Sequence, residues 1–428
     1  MRFSNFFVPT SRDNPSDAKL ISHNLMIRSG MIRQETSGIY TWLPLGYKVL
    51  NKIIDAIEDA HEKANINQIL MPTIQSSEIW KTSNRFDSYG KEMLRIIDRN
   101  SKELLYGPTN EEMITLIGKQ YIKSYKDLPL FLYHIQSKFR DEIRPRHGVM
   151  RAREFLMKDA YSFDLGVEEA KKTYFKFYLL YLKIFKKIGL PIIPVRAPSG
   201  EIGGDVSHEF HLIVPSGEST VFVNESFFNE ANCHDFESLK NIESFTDDLY
   251  KKISPLPNMI EKKSIELGHI FLFGTKYSKT FEFNVDSNKG KIYPYMGSYG
   301  LGISRIPAAI IEAFHDDKGV LWPKGMVPFN LSLINLLTEN DEITEFCDLI
   351  YKKYTKFFDI LYDDRNERPG IKFTDNDLMG IPIQLIIGKK FINGKEISLK
   401  ERKTGKEITL KIENLDKYLL DYRNDKTF

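Results

Sequence analysis

The chain has 428 residues, room for about two or three domains, and a net charge of +2 at pH 7. That balance excludes a global field that would drive the protein onto nucleic acid, so any RNA contact must come from local patches. Two cysteines, Cys233 and Cys347, exclude a disulfide scaffold and a cysteine-rich zinc site, and they fit a reducing, cytoplasmic setting.

Met1 to Asp17 has no apolar core segment and does not read as a signal peptide, and no apolar run in the chain approaches the ~20 residues that span a bilayer. Tyr47, Leu50, Ile54, Ile57, His61 and Ala64 recur at three- and four-residue steps, which predicts an amphipathic helix over 46–64. A short strand, Ile66 to Met71, follows and stops at Pro72. Phe131 to Glu142 is predicted as a strand. Phe131, Tyr133, Ile135 and Phe139 form its apolar face, and His134, Gln136, Lys138, Arg140 and Glu142 its ionisable one. Ile143 to Met150, with Pro145 and Gly148, is a loop, and Arg151 to Asp159 returns as a second strand. Arg151, Phe155 and Asp159 share one parity and hence one face of this hairpin.

Asp164 to about Lys187 is predicted as a helix, and Pro191–Val195, Phe210–Val214 and Val221–Val223 as strands. Residues from about Asn229 to Lys263 are polar and weakly patterned and read as a short insertion or linker; the Cys233-His234 pair inside them reads as coincidence. Lys291 to Met296 is a strand. The glycine run Gly297-Ser-Tyr-Gly300-Leu-Gly302 then opens a helix, Ser304 to Phe314, with Pro307 in its first turn. Leu321 to Pro328 reads as a domain boundary. Beyond it strand Asn330–Leu337, helix Glu342–Lys356, strand Ile360–Asp363, helix near Thr374–Met379 and strand Ile383–Ile387 alternate, which predicts a small α/β domain. Asn393-Gly394 and Thr404-Gly405 are predicted turns. The basic run from Lys389 to Lys411 reads first as a solvated face.

The hairpin suits a nucleotide. Arg140 can neutralise a phosphate, Glu142 can accept from an exocyclic amine, and Phe155 offers a ring for base stacking. Arg151 and the distant Arg305 can hold outer phosphates. Arg305 stands at a helix N-terminus, where an anion rather than a cation is favoured, and a bound phosphate would remove that conflict. Phosphate-transfer chemistry needs position and charge more than a nucleophilic side chain, and no P-loop signature occurs. The cluster Arg144, Arg146, His147 and Arg151 fits a nucleic-acid loop equally well. Gly107-Pro-Thr109-Asn-Glu111-Glu112 suits a small ammonium-bearing ligand, or simply the cap of a helix. In Glu266-Leu-Gly-His269, the histidine is on its own most simply structural.

The helix and strand ending in Pro72, the Arg140-x-Glu142 hairpin with Arg151 and Phe155, and the glycine-rich Arg305 helix resemble the three motifs of class II aminoacyl-tRNA synthetases. Finer strings resemble the bacterial-type prolyl-tRNA synthetases: residues 36–46, 107–112, 139–163, 268–271 with 274–278, and 369–382. The resemblance spans nearly the whole chain. It implies an α/β fold class: a catalytic domain (1–325) with a seven-stranded antiparallel sheet flanked by helices, and a C-terminal α/β anticodon-binding domain (326–428). It implies a homodimer across the first motif, with no membrane attachment. ATP, Mg2+ on the phosphates, L-proline and tRNA(Pro) are the implied ligands, and zinc is not among them. Arg140 would meet the α-phosphate, Glu142 and Phe155 the adenine, and Arg151 and Arg305 the terminal phosphates. Thr109, Glu111, Arg140, Glu266 and His269 would surround proline.

One departure stands out. Many bacterial members carry a large editing domain between the second and third motifs, whereas only about 229–263 occupies its place here. The implied reading is activation and transfer of proline without removal of mischarged alanine. The alternatives are a catalytically inactive synthetase-like RNA-binding or regulatory protein, and a class II synthetase for threonine, histidine or glycine.

Overall fold

The computed structural model describes residues 1–15, 18–198, 206–224, 235–239, 241–253, 256–288 and 290–424. The chain divides into two compact units. One comprises residues 36–40 and 53–309, the other residues 1–35, 41–52 and 310–428. Helix α1 (Pro44–Lys63) forms where the first amphipathic pattern was predicted, but its buried face is shifted: Leu50, Ile57 and His61 are buried with Val49 and Ile53, whereas Tyr47 is exposed.

The 36–40 and 53–309 unit is built on a nine-stranded sheet. In chain order the strands are β1 (Asn67–Gln68), β2 (Leu130–Phe139), β3 (Glu154–Asp164), β4 (Ile192–Arg196), β5 (Ser207–Ile213), β6 (Ser219–Asn224), β7 (Ser244–Thr246), β8 (Met259–Gly274) and β9 (Tyr295–Leu301). Their spatial order is β5-β4-β7-β6-β8-β9-β3-β2-β1, with β5 also pairing β8. Seven strands were implied. The two additional ones, β1 and β7, are two and three residues long, and they make the parallel pairings. The other seven pair antiparallel. Helix α2 (Glu111–Tyr121) precedes the hairpin and helix α3 (Val167–Ile188) follows it. Helix α3 buries Tyr174, Phe177, Tyr178, Tyr181, Ile184 and Phe185, and Phe177 stacks on Tyr299 of β9 at 3.7 Å. Full burial of such a side chain is worth roughly 1.5–3 kcal/mol, so this face anchors the sheet. The helix ends at Gly189, whose φ of +86° is a left-handed cap.

Four expectations need correction. Strand β2 stops at Phe139, so Arg140 and Glu142 lie in the non-repetitive segment beyond it, not on its face. Arg151 likewise precedes β3. Second, the ionisable face of β2 is the more buried one: His134, Gln136 and Lys138 are covered while Phe131 and Ile135 are partly exposed. Lys138 bonds both His134 and Gln136 there, so the polarity of these side chains did not mark a solvent face. Third, the strand expected at Lys291–Met296 lies at Tyr295–Leu301, so the glycine run read as opening the helix is itself strand β9. A Cβ on Gly297 would sit 2.1 Å from the Tyr299 hydroxyl, so glycine here reflects crowding inside a sheet. Fourth, the stretch read as a linker contains the buried residues Phe236, Leu239 and Phe245, strand β7 and the start of β8. Cys233 and His234 lie outside the described residues.

The other unit carries helix α4 (Arg305–Ala313) across its boundary and a five-stranded sheet. Its strands are β10 (Leu331–Asn335), β11 (Ile360–Asp363), β12 (Ile383–Ile387), β13 (Glu396–Glu401) and β14 (Glu407–Lys411), in the order β11-β10-β12-β13-β14. Strand β10 is parallel to both neighbours, and the β12-β13-β14 pairs are antiparallel. Helices α5 (Asp341–Tyr354) and α6 (Pro369–Met379) complete the predicted alternation. Asn340 caps α5 by accepting from Ile343 N, and α6 starts on Pro369 and ends at Gly380 (φ +72°). Thr404-Gly405 is the turn before β14, but Asn393-Gly394 falls within a short helix, Lys389–Gly394, anchored by Phe391 stacking on Phe346 at 4.2 Å. Two cations of the basic run point inward: Arg402 binds Asp316 at 2.7 Å and 2.5 Å, and Lys400 binds Asp377 at 2.8 Å. No helix among the described residues is long and apolar enough to cross a membrane.

Candidate active site

Strand ends and the loops beyond them bring seven of the nominated residues to one cleft of about 160 Å3: Arg140, Glu142, Arg151, Phe155, Glu266, His269 and Arg305. Among the described residues the Arg140 side chain makes one hydrogen bond, Nη2 to the Pro108 carbonyl at 3.2 Å, and its Nε is buried without a partner. Its guanidinium carbon lies 5.4 Å from the centre of the Phe155 ring. Arg151 donates to Glu142 at 2.9 Å, and this pairing holds the Glu142 carboxyl below its usual range. Arg305 reaches back from the start of α4, donating from Nε to the Met150 carbonyl at 2.9 Å and from Nη1 to the Glu266 carbonyl at 2.5 Å. These backbone anchors fix a permanently charged group in the cleft wall.

Thr109 and Glu111 are not in that wall but behind Pro108. Gly107 is required where the chain passes Gln75, because a Cβ would fall 2.1 Å from the Gln75 amide nitrogen. Gln75 in turn donates to the Thr109 carbonyl at 3.0 Å and accepts from Trp80 at 2.7 Å. Thr109 Oγ1 donates to Glu111 Oε2 at 2.6 Å, and Ser298 Oγ donates to Glu111 Oε1 at 3.2 Å. The helix-cap explanation fails for Asn110. Its side chain makes no cap hydrogen bond; it accepts from Lys138 instead. Lys138 is fully buried, 3.3 Å from Asp159 and 3.2 Å from the Gln136 side-chain oxygen. Burial alone would push the Asp159 carboxyl up. Lys138, His134 and Arg140 outweigh that and hold it well below the usual range. Lys138, His134 and Asp159 thus form a buried ionic network, in which Asp159 Oδ2 and His134 Nδ1 lack a hydrogen-bond partner among the described residues.

At the opposite end, His269 stacks on Phe271 at 3.8 Å, and its Nε2 shares a hydrogen with Ser207 Oγ at 2.6 Å. Burial, with help from His211 and His208, pushes its pKa down to about 3, so the ring is neutral. Burial, reinforced by Asp248 and opposed by Arg305, pushes the Glu209 carboxyl up to about 7. Donor atoms of Glu209, Glu266 and His269 lie within 4.8 Å of one another, a set two-thirds carboxylate that matches a hard cation better than a soft one.

Sequence patterns missed Arg85, Ser298 and Glu218. Ser298 lay inside a run read for its glycines. Glu218 pairs with Arg146 at 3.3 Å and lies 3.7 Å from Arg151, so the basic loop is partly neutralised. Lys138 was noted only as one of an ionisable face.

Residues 92–314 match the core domain of class II tRNA synthetases (G, H, P, S and T), and residues 331–422 match an anticodon binding domain. Fold and site thus define a class II tRNA synthetase core joined to an anticodon-binding domain. Proline–tRNA ligases from Bartonella tribocorum and Brucella anthropi are 49% and 47% identical to this chain, over 97% and 96% of it and 98% of each relative. That of Bartonella henselae is 50% identical over 97% of the chain and 98% of the relative. The chain belongs to the proline–tRNA ligase family. A solved prolyl-tRNA synthetase from Cryptosporidium parvum, complexed with L-proline and AMP, has the same fold. Its TM-score is 0.76 at 18% identity, covering 96% of this chain and 77% of that one.

Proposed function

We propose that this chain activates L-proline with ATP and transfers it to the 3′ end of tRNA(Pro). The observation that carries this reading is the convergence of Arg140, Arg151 and Arg305 on one cleft adjoining the Thr109–Glu111 turn. A proline carboxylate oxygen attacks the α-phosphorus, the bond from that phosphorus to the β-phosphate bridge breaks, and pyrophosphate leaves. Arg140 stabilises charge on the α-phosphoryl oxygens, and its buried, unpartnered Nε is the feature that suits this role. Arg151 and Arg305 take the outer phosphates, with Glu142 exchanging its Arg151 contact for the adenine amine and Phe155 stacking on the base. Thr109, Glu111 and His269 hold proline, with Glu266 nearby. A terminal ribose hydroxyl of the tRNA then attacks the acyl carbon and AMP departs. Mg2+ would neutralise phosphate charge, and the Glu266 and Glu209 carboxylates are the oxygen donors suited to it.

The same reading assigns residues 1–325 to catalysis and 326–428 to the anticodon, in a homodimer of the cytoplasm. It also assigns no cis-editing. Alanine is smaller than proline, and lost apolar contact discriminates by only ~1–3 kcal/mol per methylene. Purified protein is expected to leave alanyl-tRNA(Pro) intact; rapid deacylation by it alone would contradict this. ATP–pyrophosphate exchange with each amino acid in turn tests the substrate. Proline-dependent exchange is expected, and exchange with threonine but not proline would overturn the assignment.

A further inference from the structure

Arg85, at the start of the short helix Arg85–Ser88, belongs to none of the motifs. Its side chain is 15% exposed, and one nitrogen, Nη1, serves four acceptors. These are Glu111 Oε2 at 3.2 Å, Glu112 Oε1 at 3.1 Å and Oε2 at 3.3 Å, and Tyr277 Oη at 2.9 Å. Its guanidinium carbon lies 4.9 Å from the centre of the Trp80 ring, 5.8 Å from that of Tyr89 and 6.0 Å from that of Tyr277. Three rings therefore confine the cation beside two adjacent carboxylates.

Glu112 is fully buried and accepts from Ser83 Oγ at 2.8 Å; Glu111 takes two further hydrogen bonds, both from neutral hydroxyls. Burial, with Glu111 beside it, pushes the Glu112 carboxyl up, and Arg85 is the largest influence opposing that shift. Without Arg85 the two carboxylates lose the guanidinium that bridges them, and Glu111 loses the contact that orients it.

We propose that Arg85 is a positioning residue for the imino-acid site: by bridging the two carboxylates it orients Glu111 toward the substrate's imino nitrogen and keeps Glu112 from displacing it. The inference rests on the reading of Glu111 as the acceptor of the substrate's imino nitrogen.

The test is ATP–pyrophosphate exchange with KM for proline and for ATP measured separately, on wild type, Arg85→Ala, Arg85→Lys and Arg85→Ala/Glu112→Gln. Arg85→Ala should raise KM for proline about 10- to 100-fold, the worth of a charged hydrogen bond, and KM for ATP less than about threefold. Arg85→Lys, which keeps the charge but is less suited to serving both carboxylates, should fall between wild type and Arg85→Ala. The double variant should recover part of the proline KM, because it removes the competing carboxylate; a purely structural role predicts further loss. If Arg85→Ala does not fold, Arg85→Lys carries the KM comparison. Both KM values rising together, or a proline KM within twofold of wild type, would overturn the proposal. Wild type without proline-dependent exchange would instead reject the reading on which it rests.

Discussion

Replacing Arg140 with alanine separates chemistry from folding. Among the described residues the Arg140 guanidinium makes one hydrogen bond, at 3.2 Å to the Pro108 carbonyl, and one ring contact at 5.4 Å with Phe155. A net hydrogen bond is worth about 0.5–1.5 kcal/mol and a partly exposed cation–ring contact about 0.5–1 kcal/mol, so stability should fall by about 1–3 kcal/mol. Asp159 is not left unpaired, since Lys138 remains 3.3 Å away. In the proposed role the same guanidinium faces developing phosphoryl charge. Losing one preorganised donor of this kind costs roughly 100- to 1,000-fold in rate, and the guanidinium fork offers two, so proline-dependent exchange should drop by about 10,000-fold or more. Urea unfolding and ATP–pyrophosphate exchange on the same preparation measure the two effects. Exchange within about tenfold of wild type in a folded Arg140→Ala protein would refute the reasoning.

Burial pushes the pKa of His208 down to about 3, against an ordinary 6.5. The unfolded chain therefore binds a proton between those values that the folded chain refuses. The stability tied to this residue is intact above pH 6.5 and is lost as the pH falls. His208→Gln should remove about 2 kcal/mol of the stability loss between pH 7 and pH 5, read from urea midpoints; an unchanged pH slope would count against it. Arg402→Met should destabilise the unit containing residues 310–428 by about 3 kcal/mol, since Arg402 is 4% exposed and clamps Asp316 with two hydrogen bonds. A urea midpoint shift equivalent to less than about 1 kcal/mol would show that the clamp is surface-like.

Helices α1, α3 and α5 were legible because their apolar spacing repeats over three or more turns, and β11 and β12 because they are continuous apolar runs; of α6 only the second half, near Thr374–Met379, was read. Arg140, Arg151, Phe155 and Arg305 were nominated together from residue type and local setting, and the structure brings them to one cleft. What brings them together was not legible, because it depends on β9 lying between β8 and β3. The burial of His134 and Lys138 was hidden for a related reason. A strand's alternation distinguishes two faces but cannot say which is covered when the polar face is internally paired. Arg85 and Ser298 left no trace, since each acts on Glu111 from remote sequence, at 3.2 Å in both cases.

The central claim is that three arginines grip one triphosphate while proline sits beside Thr109 and Glu111. A crystal structure with L-proline and a non-hydrolysable ATP analogue tests it most directly. Arg140 on the α-phosphate, Arg151 and Arg305 on the outer phosphates, and the imino nitrogen on Glu111 are expected. Nucleotide bound elsewhere, or in the cleft with these guanidinium groups turned away, would contradict it.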